Sequence, residues 1–435
     1  MMRWWMGVTC LLLSFVQGAR ATDAGEASLM SRMADGFETH VRLLGFCTTT
    51  IPIDGPGNPD NRILNIPRYS ATAQARPDLK LDFDRLTVSV QPRVELQWEA
   101  WREGPQDGRS RREDATYIHQ WLVRGRFLES VYFSCGRENL QWGPAYLTSL
   151  SNPFYSDNGR GNPKMEIPAA DFVRAVWAPN VAWSVSLITQ TGSGRIERVD
   201  DTLSGSWALK ADYSGASDYG SLIVADGEGD HHHIGGFYGG TLSDALLLYA
   251  EGAFEQHRGA RYPEFADTPI GLALQPDKDD TWRGAYLAGG SYTLTAGPVL
   301  SAEYLYYGPG YDGTAAGRFF ELQTSAAQLV RSGGSLLPSG NAALFQTADP
   351  GLRFFRQHYL MIQCLKSDIA GAIDLTVRWT QNLDDGSGRF TGIGEWSLGD
   401  HFQLFTTGTV NRGSRFTEFG RIFNYQIMIG MEYTL

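Results

Sequence analysis

The sequence is dominated by long segments in which apolar and polar side chains alternate with a period of two. The first clear segment places an apolar set on one parity, namely Leu86, Val88, Val90, Val94, Leu96 and Trp98. The other parity is strongly polar, with Thr87, Ser89, Gln91, Arg93, Glu95, Gln97 and Glu99. Because successive side chains of a β-strand point to opposite faces, this segment is predicted to be a strand with one apolar and one polar face. The pattern recurs up to the last segment, which ends at Leu435.

The length and spacing of these segments favour a membrane barrel over a soluble sandwich. Each segment runs for about ten residues, which exceeds the usual strand of about 5–6 residues and suits a tilted strand that crosses a bilayer. Short turns and long loops alternate between residues 84 and 435, as they do in outer-membrane barrels. We therefore predict an all-β, transmembrane antiparallel β-barrel of about 16 strands (about 14–18), with short periplasmic turns and long extracellular loops.

The composition excludes two other classes of protein. Mean hydropathy is -0.26, and beyond the N-terminus no apolar run approaches the about 20 residues of a transmembrane helix. The 48 acidic and 37 basic residues give a net charge of -11, which opposes binding to nucleic-acid phosphates. A moderate hydropathy is expected when it averages an apolar outer face and a polar inner face.

The first 21 residues are predicted to be a cleaved secretory signal. Arg3 supplies the positive start, Gly7–Val16 forms an apolar core of ten residues, and Ala19–Ala21 fits a cleavage site with small residues. The core is too short to cross a bilayer as a helix. A signal followed by a barrel predicts export to the cell outer membrane, with cleavage near Ala21.

Residues 22–82 lack a clear alternation and are predicted to form an N-terminal extension in front of a barrel at 83–435. A short helix is expected over Ala27–Met33 and a strand over Phe37–Phe46, followed by a Pro-rich irregular stretch. The sequence leaves three placements open. The segment forms a periplasmic extension, a plug inside the lumen, or one more barrel hairpin.

If the apolar parity faces lipid, the polar parity lines the interior. The candidates for this lining carry both signs of charge: Arg93, Glu95, Glu99, Arg124, Arg126, Arg174, Lys210, Glu303, Asp374, Arg378 and Glu395. Ionised groups are too costly to bury without partners, and a barrel of about 16 strands is wide enough for an aqueous channel. The set therefore predicts a hydrated lumen that passes small hydrophilic solutes. A lumen plugged by loops is the alternative.

Loop 138–169 is the best candidate for a constriction in that lumen. Asn-Pro or Asn-Gly pairs begin at residues 152, 158 and 162, and such turn residues specify a fixed chain path. Folded inward, the loop would place four charged residues in the pore: Asp157, Arg160, Lys164 and Glu166. Its composition also allows an external cap.

No pattern in the sequence predicts a metal site, a cofactor or an enzymatic activity. The run Asp230–His233 offers carboxylate and imidazole groups, which are metal ligands, but a short loop lacks fixed ligand geometry. Neither His119 nor His358 stands in a serine-centred motif, so no nucleophile and base are predicted. The three cysteines beyond the signal are far apart and do not describe a disulfide framework.

Two segments resemble parts of known outer-membrane barrels. Met428–Leu435 resembles the C-terminal signal read by the barrel-assembly machinery, with Gly430, Tyr433 and the terminal Leu435 at the characteristic positions, although Leu435 replaces the usual Phe. The region from Gly136 to Pro163 looks like segments of Gram-negative barrels of the porin type, and of alginate-export and capsule-assembly barrels.

The resemblance implies a porin-like channel without enzymatic activity or cofactor, for passive diffusion of small hydrophilic solutes. It also implies contact with outer-membrane lipid and lipopolysaccharide, and it allows a homotrimer. The alternative function is a barrel for surface polysaccharide binding, export or assembly, with a lumen plugged by loops.

Overall fold

The computed structural model describes residues 34–195, 206–227, 231–256, 259–277 and 281–435. The predicted signal peptide and the predicted helix at Ala27–Met33 lie outside the described residues, as does Asp230. The described chain forms a closed antiparallel β-barrel of eighteen strands, with a separate two-stranded hairpin and two α-helices. The predicted all-β barrel is confirmed, at the upper end of the predicted range of strand number.

The barrel begins with eleven strands: β1 (Phe37–Pro52), β2 (Tyr69–Phe83), β3 (Leu86–Ala100), β4 (Ser110–Leu128), β5 (Val131–Glu138), β6 (Ala170–Trp177), β7 (Trp183–Gly192), β8 (Trp207–Ser214), β9 (Asp218–Gly227), β10 (His231–Ser243) and β11 (Leu246–Gln256). The separate hairpin is formed by β12 (Arg261–Phe265) and β13 (Leu272–Pro276). The barrel continues with β14 (Trp282–Thr293), β15 (Val299–Tyr307), β16 (His358–Ile369), β17 (Ile373–Asn382), β18 (Gly388–Leu398), β19 (Phe402–Arg412) and β20 (Phe423–Thr434). The helices α1 (Gly313–Ser332) and α2 (Leu337–Ala348) lie between β15 and β16.

The barrel closes through antiparallel pairing of β1 with β20, from Arg42 opposite Thr434 to Pro52 opposite Phe423. Each barrel strand therefore has a neighbour on both sides. Closure suits a lipid environment, because no water is available there to satisfy unpaired backbone groups. Short turns join the strands at one rim and long loops at the other, so the predicted segregation of turns and loops is also confirmed.

The barrel begins before the predicted boundary at residues 82 and 83, because β1 and β2 form one more barrel hairpin, which is one of the three placements left open for this segment. β1 pairs with β2 along most of its length, and β2 pairs with β3. The strand predicted over Phe37–Phe46 lies within β1. The alternation does not place it in the barrel because its inward face carries the apolar Leu44 and Phe46, which are buried with Phe405 and Met428. The sixteen predicted strands correspond to β3–β11 and β14–β20, and the additional hairpin accounts for the other two.

Gly125 lies within a strand rather than in a turn. β4 continues through Gly125 to Leu128, and the chain turns at Glu129 and Ser130 before β5 begins. Gly125 pairs with residues of β3 and β5 as an ordinary strand position. With the turn at Glu129 and Ser130, the carboxylate of Glu129 lies at the rim of the barrel. A turn at Gly125 would instead place this carboxylate on the lipid-facing side of a strand.

Exposure of the side chains confirms which parity faces lipid. The outward Val94, Leu96 and Trp98 of β3 are 42–47% exposed, whereas the inward Arg93 is 1% exposed. Large aromatic residues such as Trp177 lie on the outer surface near the short turns, where membrane barrels place their interfacial girdles.

Long loops at the other rim pack together around α1. Asp312 caps the N-terminus of this helix, because its side chain accepts a hydrogen bond from the backbone N–H of Ala315. Phe319 of α1 packs with Leu272 of the separate hairpin, and Val330 near its other end packs with Ile63 of loop 53–68.

These contacts carry α1 across the mouth of the barrel. Loop 53–68 follows β1, whereas the hairpin follows β11, on the opposite side of the ring of strands. The helix contains twenty residues, which at about 1.5 Å per residue gives a length of about 30 Å. Within the described residues, neither helix is both long and apolar enough to cross a membrane.

Candidate functional site

The interior of the barrel is organised by loop 139–169, which connects β5 to β6 and folds inward. Its residues contact inward side chains of β11, β15, β17, β18 and β20. Near its end the loop also contacts β2, β3 and β4. Because these strands lie on different sides of the ring, the loop is held inside the lumen rather than above it.

Glu303 of β15 binds the loop through both carboxylate oxygens. Its Oε1 accepts from the backbone N–H of Tyr146 at 2.6 Å, and its Oε2 accepts from that of Leu147 at 2.8 Å. The hydroxyl of Tyr249 also donates to Oε1, at 2.6 Å. Glu303 is 1% exposed, so this carboxylate, predicted to line the pore, lies beneath the loop that it binds.

Glu251 of β11 binds the loop in a similar way. Its Oε1 accepts from the backbone N–H and the hydroxyl of Ser151 at 2.8 and 2.7 Å, and from the hydroxyl of Ser149 at 3.1 Å. Gly143 is needed beside it, because its φ is +91° and a Cβ there would lie 2.7 Å from Oε2 of Glu251. No local pattern in the sequence indicates this contact, which joins residues about 100 positions apart.

Glu166 joins the end of the loop to the wall formed by β2–β4. Its carboxylate accepts from Nε and Nη2 of Arg93 at 3.0 and 2.7 Å, while Arg76 and His119 lie 4.0 and 3.8 Å away. Burial raises the pKa of Glu166, but the hydrogen bond from Arg93 and the charge of Arg76 outweigh it, so the pKa is lowered from 4.5. Glu166 is therefore ionised at neutral pH, and it forms a bridge from loop to wall.

Lys164 joins the loop to β18–β20, which adjoin this wall through β1. Its Nζ lies 2.9 Å from Oε1 of Glu395 and 3.3 Å from Oε2 of Glu432, and it also donates to Oε1 of Gln403. The structure thus brings Lys164 and Glu395, two predicted pore residues, into direct contact.

Arg160 and Arg378 meet where the loop passes β17. Nη2 of Arg378 donates to the carbonyl oxygen of Arg160 at 3.0 Å. The guanidinium of Arg160 donates to the carbonyl oxygens of Pro144 and Ala145 at 2.7 Å each, and it lies 4.8 Å from the ring centroid of Tyr146. Two cationic side chains are therefore fixed at one position of the loop by backbone acceptors.

The remaining predicted interior residues do not take part in the contacts between loop 139–169 and the wall described above. On β3, Glu95 accepts from Gln74 and Tyr117, and Glu99 accepts from Gln97. Three others are exposed on inward positions toward the short-turn rim: Arg124, Arg126 and Asp374.

Arg174, Lys210 and Asp157 have local partners. Arg174 lies 3.7 Å from Glu138. Lys210 pairs with Asp212, and its Nζ lies 5.3 Å from the ring centroid of Trp142. Asp157 is exposed, and its side chain accepts from the backbone N–H of Gly159 in a local turn.

On one side, the inner wall is apolar and covered by the loop, and on the other side it is polar. Along β6–β9, Phe154 and Tyr155 of the loop pack on the inward Phe172 and Ile188. Along β11–β16, loop residues pack on inward apolar residues such as Leu305. The inward side chains of β3 at positions 89, 91, 95, 97 and 99 are instead partly exposed, so water reaches the lumen along this side.

The three residues of the predicted assembly signal lie on β20 and at the chain end. Gly430 is inward and close-packed, because a Cβ there would collide with the ring of Phe405 and lie 2.6 Å from the carbonyl oxygen of Gly45. Tyr433 and Leu435 are 39% and 63% exposed.

Comparisons with solved structures identify the fold. The chain is similar to Pseudomonas aeruginosa OccK11, with a TM-score of 0.55, 10% identity and coverage of 92% of this chain and 96% of that chain. Acinetobacter baumannii OccAB1 has a TM-score of 0.55 at 12% identity, with 91% and 96% covered. Pseudomonas aeruginosa OprD has a TM-score of 0.52 at 9% identity, with 92% and 95% covered.

These similar structures are outer-membrane porins, so the fold is that of an outer-membrane barrel. No family model and no curated protein matches the sequence.

Proposed function

We propose that this chain is an outer-membrane channel through which small hydrophilic solutes diffuse passively, with loop 139–169 as its constriction. The observation that carries the proposal is a loop tied inside a closed barrel by side chains from several sides of the ring, beside an inward face of β3 that water reaches. A loop held in this way sets the width and charge of a pore, which determine the solutes that pass. The fold shared with porins supports it.

In this proposal the charged residues have two kinds of role. Arg160, Arg378 and Glu395 line the constriction, and Glu95 and Glu99 line the path on its extracellular side. The buried or paired residues Arg93, Glu303 and Lys210 position the loop and the wall. On the periplasmic side the path is lined by Arg124, Arg126 and Asp374.

Recording from planar bilayers tests the proposal. The refolded barrel should give steady ohmic conductance steps, and the Arg378→Ala variant should change both the step size and the ion selectivity. Leu375→Ala is the matched control, because Leu375 belongs to the same strand but is 42% exposed on the outer face. This variant should conduct as the unmodified chain does.

Two outcomes would contradict the proposal. One is a correctly folded barrel, shown by its heat-modifiable migration, that gives no conductance. If such a barrel retains a bound polysaccharide, the alternative function in surface polysaccharide handling applies. The other is equal conductance and selectivity for both variants, which would place Arg378 outside the path.

A further inference from the structure

Met165 is an exposed apolar side chain inside the barrel. It belongs to the inward-folded loop 139–169 and is 49% exposed. The other exposed large apolar side chains of the described chain lie on the outward face of the barrel strands, at the short-turn rim, or in the loops and helices of the long-loop rim. An apolar side chain in contact with the water of a polar lumen is unfavourably hydrated, so its position there needs a reason.

The backbone on both sides of Met165 is fixed to the wall of the barrel. The carbonyl oxygen of Lys164 accepts from Nη2 of Arg76 at 2.9 Å, and the Nζ of Lys164 forms the ion pairs described above. On the other side, Glu166 is held by Arg93. Because both neighbouring side chains bind the wall, Met165 cannot turn toward the wall without breaking these contacts. Its side chain is therefore kept toward the lumen.

Two further apolar residues of the same stretch are exposed. Pro163 precedes Met165 by two positions and Pro168 follows it by three. Proline holds its own φ near one value, so this stretch keeps a fixed shape. Met165, Pro163 and Pro168 together are called the apolar ledge below.

A cationic side chain stands beside the apolar ledge in the chain. Arg160 is exposed and precedes Pro163 by three positions. Its guanidinium donates to backbone carbonyl oxygens of the loop, and within the described residues no carboxylate pairs with it. The edge of the constriction thus offers a charged group for the polar part of a solute and an apolar surface for another part.

We propose that the apolar ledge gives the constriction a preference for hydrophilic solutes that carry a nonpolar side group. The inference rests on the proposed channel function and names the class of solute that binds in the channel. Contact between the ledge and a nonpolar group removes both from water. The side chain of Met165 is unbranched and polarisable, so it adapts to groups of different shape. A solute with a polar side group in the same place gains nothing from this contact.

The amino acids leucine and asparagine separate the contact with the ledge from effects of charge and size. Both carry the same zwitterionic head, and their side groups have the same number and branching of non-hydrogen atoms. Each is added to single channels that carry current in potassium chloride, because a solute that occupies the constriction reduces that current. We expect leucine to halve the current at a several-fold lower concentration than asparagine.

Variants of one ledge residue test its role. Glutamine is close to methionine in length but polar, so Met165→Gln should raise the half-blocking concentration of leucine several-fold, to that of asparagine, and leave the value for asparagine unchanged. Met165→Leu should keep the preference. Leu383→Gln is the matched control, because Leu383 is 48% exposed but lies in the loop between β17 and β18. This variant should keep the leucine preference of the unmodified chain.

The current in potassium chloride alone reports on the channel separately from the ledge. Normal conductance with equal half-blocking concentrations for the two amino acids would overturn this inference and leave the channel proposal intact. A folded barrel without conductance would overturn both. A leucine preference that survives in Met165→Gln, or that Leu383→Gln abolishes equally, would place the apolar contact outside the ledge. Met165→Ala is a second variant, which adds no polar group and should also lower the leucine preference; a preference unchanged in it would overturn the inference.

Discussion

Replacing Glu303 by Gln should loosen loop 139–169 from the wall while leaving the barrel folded. The carboxylate accepts three hydrogen bonds, from the backbone N–H groups of Tyr146 and Leu147 and from the hydroxyl of Tyr249. Glutamine keeps one acceptor oxygen but presents an amide NH₂ at the position of the other. One buried donor must then face another donor.

The magnitude follows from these three bonds. A hydrogen bond to a charged acceptor contributes about 1.5–3 kcal/mol, and a buried donor without a partner costs about 1–3 kcal/mol. Because part of this loss is recovered by the remaining oxygen, we expect docking of the loop to weaken by about 2–4 kcal/mol, or about 30- to 700-fold in the ratio of docked to undocked loop. Tyr249→Phe removes one neutral donor and should cost about 1 kcal/mol.

Single-channel recording measures this effect. A loop that leaves the wall intermittently should add current noise and brief closures, more for Glu303→Gln than for Tyr249→Phe. Glu99→Gln is the matched control, because it makes the same change of charge on a partly exposed inward side chain that accepts a hydrogen bond from Gln97 and does not touch the loop in the described part of the chain. If Glu303→Gln and Glu99→Gln give equally quiet traces, Glu303 does not anchor the loop.

Three further predictions concern Lys164, Glu166 and Glu418. Lys164→Gln removes the positive charge that pairs with Glu395 and Glu432. The reversal potential in a salt gradient should therefore shift toward cation preference. An unchanged reversal potential would place Lys164 outside the path. Because the pKa of Glu166 is lowered from 4.5, its bridge is complete above that value and is lost only as the pH falls through the lower folded-state pKa. Current noise should therefore stay constant from pH 7 to pH 5 and rise in more acidic solution; a rise already near pH 6 would contradict this. Burial raises the pKa of Glu418 above 4.5, against the opposing hydrogen bond from Tyr359, so its protonated form is favoured in the folded protein and stability should fall as the pH rises above 4.5. The melting temperature of the barrel should decrease between pH 5 and pH 7, and Glu418→Gln should flatten that decrease.

Alternation was enough to predict most of the barrel because lipid imposes it. Strands such as β3 and β20 face lipid on one parity and water or polar groups on the other, so their sequences separate cleanly. β1 does not, since Leu44 and Phe46 point inward into an apolar cluster with Phe405 and Met428. Apolar residues on both faces give no period-two signal, so the sequence alone does not distinguish this hairpin from an extension.

The interior could be predicted only in part, because parity gives direction and not surroundings. Glu303 and Arg378 share the inward parity, but parity holds no information on which of them the loop covers. Glu303 is buried beneath Tyr146 and Leu147, whereas Arg378 reaches the loop beside Arg160. Burial of an inward carboxylate depends on contacts with residues about 150 positions away in the chain, which no local pattern records.

The pairing of β1 with β20 has a consequence for the order of assembly. Arg42 stands opposite Thr434, so the seam joins the first and last strands of the described chain and cannot form until β20 has been synthesised. Contacts between such distant positions form late and slowly, because the entropy of closing the intervening chain must be overcome first. Until then the first and last strands both expose free edges, which invite aggregation. The pairing of β20 with β1 is therefore the step that converts an open sheet with two free edges into a closed barrel.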